Sequence, residues 1–215
     1  MTKKKFQKKF KKFEKGAGSA IKIARSAMKI ASTVASLINV EFKRVDTSSS
    51  FTPGTTGQLL HLSPIAQGDS VLNRDGNQVK IKSVEIRAFF QLHSDADFDA
   101  IRFIPLIDLR SDSTSITVAD VLASSGVSVN TLSFRNLDNR TRFVVLKDFP
   151  PITMTQKSTT AVYKHWYKKL DLKSIWDGGA STDVQAKQLY LLILCKENDH
   201  KSTIDVRTRV RFIDN

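Results

Sequence analysis

Residues able to carry chemistry are few in this chain and thinly spread. Histidine occurs at His61, His93, His165 and His200, and the single cysteine is Cys195. No two histidines stand at the i, i+4 spacing that sets two imidazoles on one helix face, and Cys195 joins no ligand motif. Cys195 lies in the apolar run LYLLILCKE, where a buried, inert thiol is expected, and one cysteine cannot close an internal disulfide. There is no nucleophile elbow, no P-loop and no dinucleotide-binding glycine run. The sequence therefore predicts neither a catalytic centre nor a cofactor.

One stretch imitates a metal site. DADFD places Asp95, Asp97 and Asp99 at alternate positions, as at the start of a calcium-binding loop. Ala100 then stands where the turn glycine belongs, and Leu106 where the bidentate glutamate belongs. A polar loop is the expected reading, and a calcium ion shared between subunits the alternative. Asn139-Arg140-Thr141 fits the glycosylation sequon. Lys22, Arg25 and Lys29 interrupt the region that a secretory leader keeps apolar, so a turn entering a strand is expected at the sequon.

The strongest chemical signal is charge. Up to Arg44 the chain has thirteen Lys or Arg against Glu14 and Glu41, a net of +11 out of +13 for all 215 residues. Only +2 is left for the remainder, so the basic character belongs to an appendage. A localised cationic run attracts polyanions, nucleic acid first and acidic membrane second; a solvated tail and an organelle-targeting segment are the plainer alternatives.

Within KKKFQKKFKKFEK, Phe6, Phe10 and Phe13 recur at i, i+4 and i+7. Lys3, Lys4, Lys5, Lys8, Lys9, Lys11, Lys12 and Lys15 surround them. Lysine repulsion opposes this helix until phosphates neutralise it. Ammonium groups neutralise phosphate without reading sequence, and rings stack on unpaired bases, so single-stranded nucleic acid offers both partners. Lys22, Arg25 and Lys29 continue the charge beyond a Gly16-Ala17-Gly18 joint. There Ile21, Ala24, Met28, Ala31, Ala35 and Ile38 form a second helical stripe, expected to pack on the body.

From Val40 the hydrophobic period changes to two, which divides the chain into an arm, residues 1–39, and a body, residues 40–215. Strands are expected at 40–47, 58–63, 79–93, 101–110, 141–149, 161–172, 187–197 and 204–214, with a short helix at 117–124. Pro105 pushes its strand toward an edge or a bulge. Eight strands with long connections predict an all-β fold: an antiparallel jelly-roll sandwich carrying a basic, helical amino-terminal arm. Leu189, Leu191, Ile193 and Cys195 face one side of their strand, and Tyr190, Leu192 and Leu194 the other. A sandwich has one interior, so the second face is expected to be covered by the helix near residues 19–38 or by a neighbouring subunit.

Two strands add positive charge. Arg207, Arg209 and Arg211 share one face of the last strand, and Lys164, Trp166 and Lys168 share a face of theirs. A cationic row beside an indole can hold phosphates and stack a base; pairing with carboxylates across the sheet is the competing reading.

Gln67-Gly68 followed by Arg74-Asp75-Gly76-Asn77 and an alternating Ile/Lys strand resembles a segment of the capsid proteins of small circular single-stranded DNA viruses that encode a replication initiator. RFVVLKDF and the ending RVRFIDN are similar to further runs of that family, and the likeness extends from about Leu60 to Asn215. The resemblance implies a single jelly roll assembling as an icosahedral virion shell of sixty copies, with its basic arm turned onto the genome and no enzymatic activity. The same shell type occurs in satellite viruses of the tobacco necrosis kind, which package RNA. The lysine- and phenylalanine-rich arm departs from the arginine-rich arms usual in the DNA viruses. A non-viral nucleic-acid-binding oligomer and a membrane-active segment at residues 1–38 are the rival readings. No membrane partner is required.

Overall fold

The structure, a computed structural model, describes residues 22–31, 42–110, 116–123 and 129–214. It divides into two units, Met1–Val40 and Glu41–Asn215. In the first, residues 22–31 form helix α1, as expected of a segment rich in alanine and unbranched side chains. Every side chain of α1 is exposed, including Ile23, Met28 and Ile30.

The second unit is a two-sheet antiparallel sandwich. Its strands are β1 (Phe42–Phe51), β2 (Gln58–His61), β3 (Gln78–Gln91), β4 (Phe98–Asp108), β5 (Phe143–Val145), β6 (Ile152–Thr155), β7 (Ala161–Trp176), β8 (Val184–Ala186), β9 (Gln188–Cys195) and β10 (Thr203–Asp214), with helix α2 (Val118–Val121) between β4 and β5. One sheet runs β1-β10-β3-β7-β8 and the other β2-β9-β4-β5, with β6 also pairing β4. The fold is the expected all-β jelly-roll sandwich. Beyond the expected eight strands, β6 and β8 appear; they have four and three residues and are too short to show a period.

The main core lies between the sheets. Val84, Ile86, Ala88, Phe90 and Leu92 all point into it, as the alternation predicts. A bulge between Ile81 and Ser83 inserts one residue, which keeps Val79 and Ile81 on the same side as Val84 and Ile86.

Pro105 does not confine β4 to an edge. β4 is paired along Ile101–Asp108 with β9, and on its other side with β6 and β5. Its carbonyl accepts from the amides of Leu146 (2.9 Å) and Lys147, so its missing N–H faces the gap between β6 and β5. There no ladder bond is lost.

Both faces of β9 are covered within the body itself. Leu189, Leu191, Ile193 and Cys195 enter the main core, while Leu192 and Leu194 join Ile104 and Leu106 of β4 in a second cluster. That cluster is closed by Val121, Leu122 and Phe143, with Ile116, Val118, Val129 and Val145 packed against it. The β4–β5 connection of the same chain therefore forms a lid on this face, a cover not anticipated from the sequence. It is pinned at several points. Thr117 and Asp120 form a capping box that starts α2. Arg142 makes a double bond-pair to buried Asp108, at 3.0 Å each. Arg102 pairs with Asp148 at 3.1 and 2.8 Å and also donates to the carbonyls of Thr131 and Ser133. Asn139 of the sequon donates its side-chain amide to the Asp120 carbonyl at 3.0 Å, in a turn entering β5 as expected.

Candidate nucleic-acid interface

The outer face of the β1-β10-β3-β7 sheet gathers cations and rings. Along β10, Val206, Thr208, Val210 and Phe212 are buried, which leaves Arg207, Arg209 and Arg211 on the opposite face. Cross-strand register sets Ser48, Asp46 and Arg44 beside them on β1, and Arg87, Glu85 and Ser83 on β3. The next strand brings His165, Tyr167 and Lys169, and Phe89 of β3 faces Tyr163. Phe89, Tyr163 and Tyr167 are all exposed. Asp46, Glu85, Arg87, Arg207 and Arg209 line a shallow open depression of about 430 Å³.

Electrostatics divides the arginine row. Arg209 is held by Asp46 through two bonds of 2.7 Å. Those bonds keep the Asp46 carboxyl below its ordinary range and the Arg209 guanidinium above its own. Arg87 is bound to Glu85 at 2.9 and 2.7 Å, and His165 reaches the same carboxylate at 3.2 Å. Arg207 and Arg211 make no ion pair among the described residues. The reading that the row pairs with carboxylates across the sheet therefore holds for its central arginine, Arg209.

Lys164, Trp166 and Lys168 share a face of β7, but it is the other one. Their register partners Ala88, Ile86 and Val84 all point into the core. Trp166 packs partly buried against that core and meets Phe149 edge-on at 6.3 Å, so its indole is not a stacking platform beside the arginines. Tyr163 and Tyr167 lie on the arginine face, with β3 between them and β10. Alternation in YKHWYKK separates the two sets, but which set turns outward depends on pairing with β3.

The arm residues Lys3, Lys4, Lys5, Phe6, Lys8, Lys9, Phe10, Lys11, Lys12, Phe13 and Lys15 lie outside the described residues. On α1, Lys22, Arg25 and Lys29 fall on one helical face and Ala24, Met28 and Ala31 on the opposite one, all exposed.

The three carboxylates of DADFD do not share one surface. Asp99 is buried, and its Oδ1 accepts from the amides of Ala100, Lys196 and Glu197 at 2.7, 3.1 and 3.1 Å. Its Oδ2 accepts from Ser202 Oγ at 2.5 Å. A carboxylate saturated by four internal donors has no lone pair for an ion, whereas Asp95 and Asp97 are exposed. Cys195 is buried as expected, and burial pushes its thiol well above the ordinary range, which keeps it unreactive.

The motif that carries the sequence resemblance is structural. Arg74 is fully buried and donates to the carbonyls of Ile65 (3.1 Å), Gly76 (2.6 Å) and Gly178, with its guanidinium 5.0 Å from the Trp176 ring. Gln67 donates its backbone amide to Gly179 and its side chain to the Asp75 carbonyl. Lys43, also buried, sits between Asp75 (2.7 Å) and Asp214 (2.8 Å). Burial opposes its charge, yet the two carboxylates outweigh that and raise it above its ordinary range.

Among the described residues no helix is long and apolar enough to cross a membrane. A family model of the satellite tobacco necrosis virus coat protein matches residues 18–215. No curated protein sequence matches the chain. Similar solved structures include a broad bean stain virus structure, at 12% identity over 78% of this chain and 84% of that one, with a TM-score of 0.32. A 60-mer BFDV capsid protein gives 7%, 81%, 93% and 0.35 in the same order. A Bacillus endospore appendage pilus gives 7%, 82%, 92% and 0.31. Likeness at this level is shared by shells and pili alike and does not discriminate between them.

Proposed function

The chain belongs to the satellite tobacco necrosis virus coat protein family, and from that premise we propose that sixty copies close into an icosahedral shell around a single-stranded genome. As a viral capsid protein it is structural, and its place is the virion. The observation that carries the proposal is the family match across 198 of 215 residues, 18–215, joined to an amino-terminal stretch that holds +11 of the chain's +13 by Arg44.

In this reading Lys3–Lys15 neutralise phosphates, Phe6, Phe10 and Phe13 stack on unpaired bases, and Lys22, Arg25 and Lys29 extend the contact along α1. Arg207 and Arg211, on the same sheet face as Tyr163 and Tyr167, supply a second surface of the same chemistry. Assembly is supported by the lid over β9, which leaves Leu132, Phe134 and Leu137 at 80, 86 and 69% exposure. Apolar groups clustered this way suit contacts between subunits.

The nucleic acid has two readings. The segment resemblance favours circular single-stranded DNA; the family match favours the satellite type and RNA. Electron microscopy of purified protein, with nuclease digestion of the co-purified nucleic acid, tests both levels. Uniform closed shells are expected. A monodisperse 24.1 kDa monomer with nucleic acid present would sink the shell. Sensitivity of the packaged strand to ribonuclease or to deoxyribonuclease assigns the genome.

A further inference from the structure

His93, Asp95 and His200 meet at one end of the sandwich, although 107 positions separate the two histidines in sequence. Their ligand atoms all lie within 4.8 Å of one another. The two imidazoles stack with centroids 5.4 Å apart and planes at 27°, and His93 Nδ1 is 3.9 Å from Asp95 Oδ2.

The scaffold under these side chains is built rather than loose. The β3–β4 loop that carries His93 and Asp95 is tied to the β6–β7 turn by Gln156, whose Nε2 donates to the carbonyls of His93 (3.1 Å) and Ser94 (2.6 Å). Ala96 closes the loop with a bond to the His93 carbonyl at 3.1 Å. The β9–β10 loop that carries His200 is gripped at both ends by Asp99, through Lys196 and Glu197 at its start and Ser202 at its finish. Asp99 immediately follows the first residue of β4, so its carboxylate ties the β9–β10 loop to the strand that the β3–β4 loop enters.

We propose that His93, Asp95 and His200 form a binding site for a first-row divalent transition ion of the zinc type. Two neutral imidazoles and one carboxylate are the donors of a tetrahedral site whose fourth position is open, here to water. The set does not suit calcium, which takes six to eight oxygens at about 2.3–2.6 Å. Zinc–nitrogen and zinc–oxygen bonds are about 2.0–2.2 Å, so the ligand atoms close in from their present spacing by rotation of partly exposed side chains. One internal bond gives way: the Asp95 amide now donates to His93 Nδ1 at 3.1 Å, and the metal takes that lone pair. Bound metal would pin the β3–β4 and β9–β10 loops together. The inference stands apart from the shell proposal, because each chain holds all three ligands.

Cobalt(II) titration of the full-length protein tests it. The expected result is one ion per chain, with visible d–d bands of tetrahedral intensity that zinc reverses at micromolar concentration and calcium does not. His93→Ala and His200→Ala should each weaken binding at least tenfold, and His165→Ala should leave it unchanged. Thermal unfolding provides a second readout: zinc should raise the midpoint of the unaltered chain and not of His200→Ala. Only millimolar binding, or binding that survives both loop-histidine substitutions, would overturn the site.

Discussion

The guanidinium of Arg74 lies over the indole of Trp176 at 5.0 Å while its nitrogens hold the carbonyls of Ile65, Gly76 and Gly178. One buried side chain thus joins the β2–β3 loop to the turn between β7 and β8. Arg74→Ala strands three carbonyls that have lost their charged donor, at a cost of about 3–5 kcal/mol. Arg74→Lys should recover little, because one ammonium cannot span the planar fork. Denaturant unfolding of the two variants measures the loss; a cost under about 1 kcal/mol for alanine would remove Arg74 from this role.

The lid over β9 gives a paired expectation. Val121→Asp places a carboxylate beside Leu192 and Leu194 and should destabilise the body by about 3 kcal/mol. Deleting residues 1–38 should leave the thermal midpoint of the body within a few degrees of the full chain, since this face has its own cover. A large drop on deletion would show that the arm shares in covering it.

Rings and charges in the arm separate by salt. Deleting residues 1–16 should remove most of the affinity for single strands. Replacing Phe6, Phe10 and Phe13 with alanine should lower affinity by about 1–3 kcal/mol per stacked base while leaving the slope of affinity against salt unchanged, because stacking releases no counterions. Fluorescence anisotropy on an unstructured oligonucleotide across a salt series reads both. An unchanged affinity would assign the rings to contacts between arms.

Acid sensitivity has an identifiable source in His61. Its ring stacks on Tyr190 at 5.0 Å, and its Nε2 lies 3.3 Å from Gln188 Oε1. Burial pushes the imidazole down to about 4 from 6.5, and the Gln188 contact only partly opposes this. The unfolded chain takes up its proton near 6.5 and the folded chain not until about 4, so this stabilisation is complete above 6.5 and is lost as pH falls to about 4. Half-burial limits the loss to about 2 kcal/mol. His61→Phe keeps the stack, leaves the Ser63–Gln188 bond of 2.9 Å intact, and should flatten stability between pH 6.5 and 4.

Period-two alternation made the sheets legible, because burial on one face is a local property of each strand. It placed Val84 through Leu92 and Val206 through Phe212 correctly. It did not reveal that Pro105 could sit in a central strand, since that depends on where β5 and β6 stop. Nor did it reveal the lid, whose apolar residues Val121 and Leu122 lie in a connection with no period and Phe143 at the start of a three-residue strand. The sheet surface was half legible. Arg207, Arg209 and Arg211 followed from alternation, but register alone sets Tyr163 and Tyr167 on their face and Trp166 behind. His93 and His200 gave no signal as a pair, because their loops meet only through sheet pairing, with Gln91 opposite Thr203, and through the Asp99 anchor.

The lid has a kinetic consequence as well as an energetic one. β9 is bonded on both sides, to β2 and to β4, so its amides should exchange with solvent only on global unfolding. The connection above it rests on a small separate cluster and a few arginine clamps, so its local opening is expected to cost less than global unfolding. Such an opening is a sub-global excursion that uncovers Leu192 and Leu194 while the sandwich stays intact. Weakening Arg102 or Arg142 should therefore speed amide exchange in the connection before it affects β9.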